Sequence, residues 1–382
     1  MASDTRMPEA RASGARASGA RVSGCQAQGE APEVKTRSAR TPAETGVRYS
    51  PHRRASSGRV WRAVQRARER SVVAGYRATS GTLQRIPTGI SLPVARSLFL
   101  GGYWAWPQKR HIIQANAASV LGLPDSHGDV KRLARRMYRT YAEFVVELMR
   151  LPGLSPDAPT RLVQEAGERG GASFLRLWDR YRAEGRGIVG VTGHIGSIEV
   201  LAGAFAAQGL PTYGLADDTA YPELFALLNR SRARWNVGII PWRNLRETFR
   251  VLRLPAVLGL VVDWGYRRDD IPVTLFGRWT TLPAGPALLA TRTGAVIVPV
   301  VNRRQPDGTY IASHDEPIEV PGSSPADILR ATQAVAGALE RMVAAAPDQW
   351  YTFKPVWPAT RGEEAQLAAR ARLMAAGGSG HD

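Results

Sequence analysis

Residues 187–201 read GIVGVTGHIGSIEVL. The first six are small or β-branched with no polar alternation, as in a short strand covered on both faces. Residues 197–209, SIEVLAGAFAAQG, then have the apolar content of a helix that ends at Gly209. Between the two lies a turn carrying Gly193, His194 and Gly196. Strand, glycine turn and helix is the repeating unit of α/β proteins, and ligands collect in them where strand carboxyl ends lead into helix N-termini. His194 stands at such a junction, with glycines on either side that permit a tight turn and close approach by a substrate.

Working outward, further strands are predicted at 212–216 (TYGLA), 237–241 (VGIIP), 256–263 (AVLGLVVD) and 295–304 (AVIVPVVNRR). Helical patterns fall between them at 221–235, 244–253 and 285–294, and a long amphipathic helix at 325–347 has proline at its first position and at its exit. Upstream, 129–151 begins with a capping-type Asp129 and carries an apolar stripe through Leu133, Met137, Tyr141, Phe144, Val145 and Leu148. The alternation predicts an α/β fold with a mixed, mainly parallel sheet flanked by helices.

The chain has 382 residues and a formal charge of +18, a surplus that favours phosphate-bearing partners such as nucleic acid, anionic lipid or acidic carriers. Residues 1–80 hold 16 Lys or Arg against 6 Asp or Glu, so over half of the surplus lies in this N-terminal fifth. Residues 10–24, ARASGARASGARVSG, repeat small residues and arginine and offer little apolar area to bury, and residues 1–55 are expected to be a disordered basic tail. VSGC at 22–25 resembles a lipoprotein cleavage box, but it lacks the apolar run that a signal peptide needs. The single cysteine, Cys25, excludes an internal disulfide, and no Cys/His cluster suggests a metal.

Residues 56–110 are expected to form a helical, aromatic segment. Its stretch 90–110, ISLPVARSLFLGGYWAWPQKR, is too interrupted to span a bilayer. Tyr103, Trp104 and Trp106 followed by Lys109 and Arg110 suit a segment at headgroup level, and equally a helix with its aromatics in the core. The main domain is expected at 111–358, with a flexible C-terminal tail over 359–382. Nucleic acid is not an expected partner, since no helix-turn-helix, zinc finger or aromatic RNA-binding motif occurs.

Histidine titrates near neutrality, at about pH 6.5, which suits it to take a proton from a hydroxyl. Glu199 follows His194 by five residues, about 140° around a regular helix, so the two meet only if the turn folds the imidazole back toward the first helical turn. They would then act as a dyad, the carboxylate fixing the imidazole tautomer. Alternatively, His194 is a strand-end residue bonded to a backbone carbonyl and Glu199 complements the helix dipole. No GxSxG nucleophile elbow is present, and His52, His111, His127, His314 and His381 lack a comparable setting.

Five blocks occur in order: HIGSIE (194–199), RWNVGIIP (234–241), VVDWGYRRDDIPVTLFG (261–277), PAGPALLATRTGAVIVPV (283–300) and APDQWYTFKPVW (346–357). As a set they resemble the lipid A biosynthesis (late) acyltransferases and the related phosphatidylinositol mannoside acyltransferases, within the glycerolipid acyltransferase superfamily. The resemblance implies a glycerolipid-acyltransferase-like fold. It also implies transfer of a fatty acyl group from acyl carrier protein or coenzyme A to a hydroxyl of a membrane glycolipid or phospholipid, at the cytoplasmic face of the cell membrane. No cofactor is implied beyond that thioester co-substrate. His194 and Glu199 are the implied catalytic pair, Arg234, Asp263 and Gly285 the implied substrate-site residues, and Asp263 is expected to organise a loop or hold Arg234. Expected oxyanion donors are the N–H groups of Gly196 and Ser197 or the Arg234 guanidinium. Glutamate at 199 resembles the lipid A branch, where the mannoside branch tends to carry aspartate. Family members usually begin with a strongly hydrophobic segment, whereas this chain begins with the basic tail, and peripheral or monotopic attachment to the membrane is expected.

Overall fold

The computed structural model describes residues 59–164, 167–218 and 221–377, with side chains from residue 64 onward. The expected N-terminal tail, Cys25 included, lies outside the described residues. Helices α1 (Arg59–Arg85), α2 (Thr88–Ala105), α3 (Pro107–Leu121) and α4 (Gly128–Arg150) come first. They are followed by α5 (Ala158–Leu162), β1 (Val163–Gln164) and α6 (Gly171–Ala183). The alternating core is β2 (Ile188–Thr192), α7 (Ile198–Ala207), β3 (Thr212–Ala216), α8 (Pro222–Ala233), β4 (Val237–Pro241), α9 (Leu245–Leu252) and β5 (Val257–Val261). A hairpin of β6 (Ile271–Leu275) and β7 (Arg278–Leu282) leads to α10 (Gly285–Thr293), β8 (Val296–Arg304), β9 (Tyr310–His314), α11 (Pro325–Ala345) and α12 (Arg361–Ala376).

The main sheet runs β1-β9-β8-β2-β5-β3-β4. Only the β8–β9 pair is antiparallel among its described pairings, so the sheet is mixed and mainly parallel, as its alternating pattern predicts. Helices cover both faces of β2, which is why all five of its residues are buried and its sequence shows no two-residue alternation. In the parallel register Thr192 of β2 stands beside Val261 of β5. The backbone bond from Val262 N–H to Thr192 O (3.0 Å) carries that pairing past the strand ends.

Elements absent from the sequence reading complete the domain. In the β6–β7 hairpin the two turn residues, Phe276 (φ 50°) and Gly277 (φ 70°), both have positive φ, the type I′ form that suits a two-residue hairpin. Phenylalanine is held there from outside, its N–H donating to Glu340 of α11 (2.6 Å) and its ring lying edge-on to Trp357. Residues 361–376, within the stretch expected to be a flexible tail, form α12 instead. Its Leu367 and Ala371 are buried, and its Glu364 pairs with Arg278 of β7 (2.6 Å). The sequence reading missed this helix because its apolar positions are few and its surface is mostly charged, so its docking depends on the hairpin.

The stretch at 90–110 divides between its two expected settings. Tyr103 is buried against Tyr138 of α4, whereas Ile90, Val94, Leu98, Trp104 and Trp106 are exposed. Among the described residues no helix is long and apolar enough to cross a membrane. Helices α1, α2 and α3 all pack on α4, so this helical segment and the α/β core form one compact unit. Along α4 the predicted stripe buries Leu133 and Met137, while Tyr141 and Phe144 are only half-buried because they line a cleft.

Leu258 lies at the centre of β5 between β2 and β3 and is fully buried. Leu258→Ala is expected to lower stability by about 2–5 kcal/mol, read as a lower denaturant midpoint in chemical unfolding.

Candidate active site

Two residues beyond the paired Thr192 and Val261 stand His194 and Asp263, so the parallel register delivers both to the same level at the carboxyl edge of the sheet. Asp263 is 3% exposed and takes three hydrogen bonds. Its Oδ1 lies 2.7 Å from His194 Nδ1, and its Oδ2 accepts from His194 N–H (2.8 Å) and from Trp350 Nε1 (2.8 Å). A carboxylate against Nδ1 makes that nitrogen the proton-bearing one, leaving Nε2 with its lone pair. The imidazole side chain is 36% exposed and opens to a cleft of about 290 Å³. Burial opposes the imidazolium, but the charge and hydrogen bond of Asp263 outweigh it and hold the His194 pKa above its ordinary value of 6.5. Burial likewise opposes the Asp263 carboxylate, and its bonds to His194 and Trp350 reverse the sign, so its pKa lies below the usual range.

The turn that carries His194 is fixed from several sides. Tyr351 N–H donates to His194 O (2.7 Å), and Ile195 pairs with Trp350 as an isolated antiparallel bridge. Asn302 of β8, 1% exposed, grips Ser197 twice: its Oδ1 accepts Ser197 N–H (3.0 Å) and its Nδ2 donates to Ser197 O (2.8 Å). Gly196 has φ +62°, and a Cβ there would collide with the Asn302 carbonyl, so glycine alone fits. Ser197 caps α7, its Oγ accepting from Val200 N–H (3.4 Å).

The side chain hydrogen-bonded to the imidazole is therefore Asp263. Glu199 faces the other way on the first turn of α7, in a salt bridge with Arg232 of α8 (2.9 Å), both ends largely shielded from solvent. It stands close enough to His194 to act on the imidazole through its charge, raising its pKa. Arg234 does not pair with Asp263 as expected. At the end of α8 its guanidinium donates to the carbonyls of Pro152 and Leu154, tying α8 to the turn after α4. The Ser197 N–H is spent on Asn302, while Gly196 lines the cleft and no acceptor takes its N–H among the described residues. Gly285 opens α10 away from the cleft lining, with room around it for a Cβ.

The cleft wall is aromatic: Tyr141 and Phe144 from α4, Trp264 after β5, and Tyr351 and Phe353 from the segment after α11. Trp264 meets the His194 ring edge-on at 5.4 Å. Lys109 and Lys354 line the same cleft. Among the described residues no cluster of His, Cys, Asp or Glu could hold a metal ion. Asn302 and Lys354 escaped the sequence reading. A signal for Asn302 existed, since it is the first polar residue in the apolar run of 295–304.

Residues 93–358 match the family of bacterial lipid A biosynthesis acyltransferases. The chain belongs to that family, and it is an O-acyltransferase. The family match begins inside α2 and runs past Lys354, so the cleft lies inside it. Among individual relatives, a phosphatidylinositol mannoside acyltransferase of Mycolicibacterium smegmatis is 29% identical over 268 residues, covering 68% of this chain and 82% of the relative. A phosphatidylinositol mannoside acyltransferase of Mycobacterium tuberculosis is 26% identical over 266 residues, with 68% and 81% covered. A lipid A biosynthesis lauroyltransferase of Escherichia coli is 29% identical over 172 residues, 44% of this chain and 55% of the relative. The fuller matches are thus to mannoside enzymes.

Two variants test this geometry through acyl transfer. The neutral imidazole is the basic form, so wild-type kcat/KM should rise with pH through an apparent pKa above 6.5. In Asp263→Asn burial acts on His194 with the carboxylate charge gone, so that limb should move to lower pH, with activity down by about 10³–10⁴-fold. Gly196→Ala should displace the turn and cost about 10²-fold in kcat, with the folded circular dichroism spectrum retained.

Proposed function

We propose that the protein transfers a fatty acyl chain from a thioester of acyl carrier protein or coenzyme A to a hydroxyl of a mannosylated phosphatidylinositol-type glycolipid, with His194 as general base. The observation that carries this reading is the Asp263-bonded imidazole opening onto an aromatic cleft, in a chain of the acyltransferase family. The fuller coverage of the mannoside relatives favours their acceptor over lipid A.

In this mechanism Nε2 of His194 takes the proton of the acceptor hydroxyl as its oxygen attacks the thioester carbonyl carbon. The carbonyl π electrons move to oxygen, and the Gly196 N–H is the donor offered to that oxyanion. When the intermediate collapses, the C–S bond breaks and the thiolate takes the proton back from the imidazolium. Asp263 keeps Nδ1 protonated and stabilises the imidazolium between the two transfers. Glu199, bonded to Arg232, acts on His194 through its charge and steadies the first turn of α7. Each buried acyl CH₂ contributes roughly 0.8 kcal/mol, a gain that the aromatic wall can supply to a long chain.

The exposed face of α2, with Ile90, Val94 and Leu98 at four-residue spacing and Trp104 and Trp106 beyond, is the surface assigned to the lipid bilayer. The chain passes from this helix into α3, whose first turn places Lys109 at the cleft, so in this reading an acceptor lipid held in the cytoplasmic leaflet would meet the site without leaving the membrane.

His194→Ala is expected to lower turnover by about 10²–10⁴-fold with the fold intact. The measurement is formation of acylated glycolipid, identified by mass, from purified protein, acyl-CoA or acyl-carrier protein, and mannosylated phosphatidylinositol. Undiminished product from His194→Ala would rule out the general-base assignment.

A further inference from the structure

The segment 351–356 passes the cleft as a strap held along its backbone. Asn116 of α3, 2% exposed, donates from Nδ2 to Thr352 O (3.3 Å) and Lys354 O (2.9 Å) and accepts Val356 N–H at Oδ1 (3.3 Å). From the other side Tyr266 N–H donates to Pro355 O (2.8 Å). Gly265, at φ +87°, lets that loop approach until a Cβ would lie 3.0 Å from Lys354 Cβ. The same anchoring that seats the buried Trp350, Val356 and Trp357 presents the exposed Lys354 to the cleft that holds His194. Its ammonium lies over the Trp264 ring (5.2 Å to the centroid), and that ring is edge-on to His194.

Lys109, in the first turn of α3, lines the same cleft and donates to Phe353 O on the strap (3.2 Å), a neutral acceptor that leaves its charge unbalanced. Among the described residues neither lysine is in a salt bridge. The cleft's own carboxylate, Asp263, is fully engaged by His194 and Trp350. The positive charge of Lys354 reaches the imidazole, where it lowers the His194 pKa against the pull of Asp263. Two unbalanced cations in an otherwise aromatic cleft suit a ligand that joins a greasy chain to an anion.

We propose that Lys354 and Lys109 form a phosphate-binding subsite in the cleft, holding a phosphate group carried by one of the two substrates. The inference rests on the acyl-transfer reading above. Two sources share the chemistry: the phosphates of the pantetheine-bearing donor and the phosphodiester of the acceptor lipid. Held there, the phosphate balances the lysine charge that disfavours imidazolium, so binding also prepares His194 to accept a proton.

The test is calorimetric titration of the purified full chain with two soluble probes, coenzyme A for the donor and glycerophosphoinositol for the acceptor. Wild type is compared with Lys354→Met, Lys354→Arg, Lys109→Met and a control on the exposed side of α4, Lys131→Met. Loss of a charge-assisted bond should weaken at least one probe by about ten- to a hundred-fold in Lys354→Met and Lys109→Met. Lys354→Arg should retain most of the affinity and Lys131→Met all of it. An effect confined to coenzyme A places the donor phosphate at the lysines, and one confined to glycerophosphoinositol places the acceptor phosphate there. Unchanged affinities in Lys354→Met, or a wild-type chain that binds neither probe, overturn the subsite. Acyl transfer by the same wild-type preparation is read separately: transfer with unaltered probe affinities rejects the subsite alone, and lysine-dependent binding without transfer rejects the reaction alone.

Discussion

A carboxylate taken out of water at the end of a central strand must have its lone pairs met, and Asp263 has them met by His194 and Trp350. That single requirement organises the carboxyl edge of the sheet. It fixes the backbone of the turn after β2, sets the imidazole tautomer, and draws the segment after α11 across the top of the strands through the Trp350 indole. Moving ionised groups into a protein interior costs several kcal/mol each even after relaxation. The carboxylate is tolerated because N–H donors meet its charge directly, and the shifts of both groups, His194 up and Asp263 down, follow from that pairing.

Behind the cleft a second set of charges locks the helical layer to the sheet. Arg304, at the end of β8, bonds Glu143 (2.9 Å) and Glu147 (2.5 Å) of α4, and Arg96 of α2 reaches Glu143 (2.7 Å). Tyr310 of β9 donates to Glu147 as well. Burial pushes the Tyr310 and Tyr351 hydroxyls well above their ordinary pKa, so both stay protonated, Tyr310 as the donor to Glu147 and Tyr351 as packing surface on the cleft. The network holds α4 at the angle that turns Tyr141 and Phe144 into the cleft. It also carries α2 on its outer side, which links the exposed apolar face of that helix to the position of the site.

The cleft is therefore assembled from segments far apart in the chain: α3, α4, the turn after β2, the loop after β5 and the strap at 351–356. Asn116 and Asn302 illustrate how this is done. Each is a buried amide that reads backbone atoms of a distant segment, and each satisfies donor and acceptor at once. Neither has a local partner that would betray its role.

What the sequence determined by itself is what depends on near neighbours. The strands at 212–216 and 237–241, the helices at 128–150 and 325–345, the fold class and the placing of His194 at a strand end all follow from periodicity, capping and glycine positions within short windows. The ordered blocks also carried the family. Which carboxylate serves the imidazole was decided by tertiary structure. Glu199 is five residues from His194 but is turned toward Arg232, whereas Asp263 is 69 residues away and is brought alongside by the parallel register of β2 and β5. Helix α12, the hairpin at 271–282 and the lysines of the cleft were decided in the same way. Their energies come from contacts across the chain, and strand order and register, which set those contacts, leave no periodic trace in the segments they join.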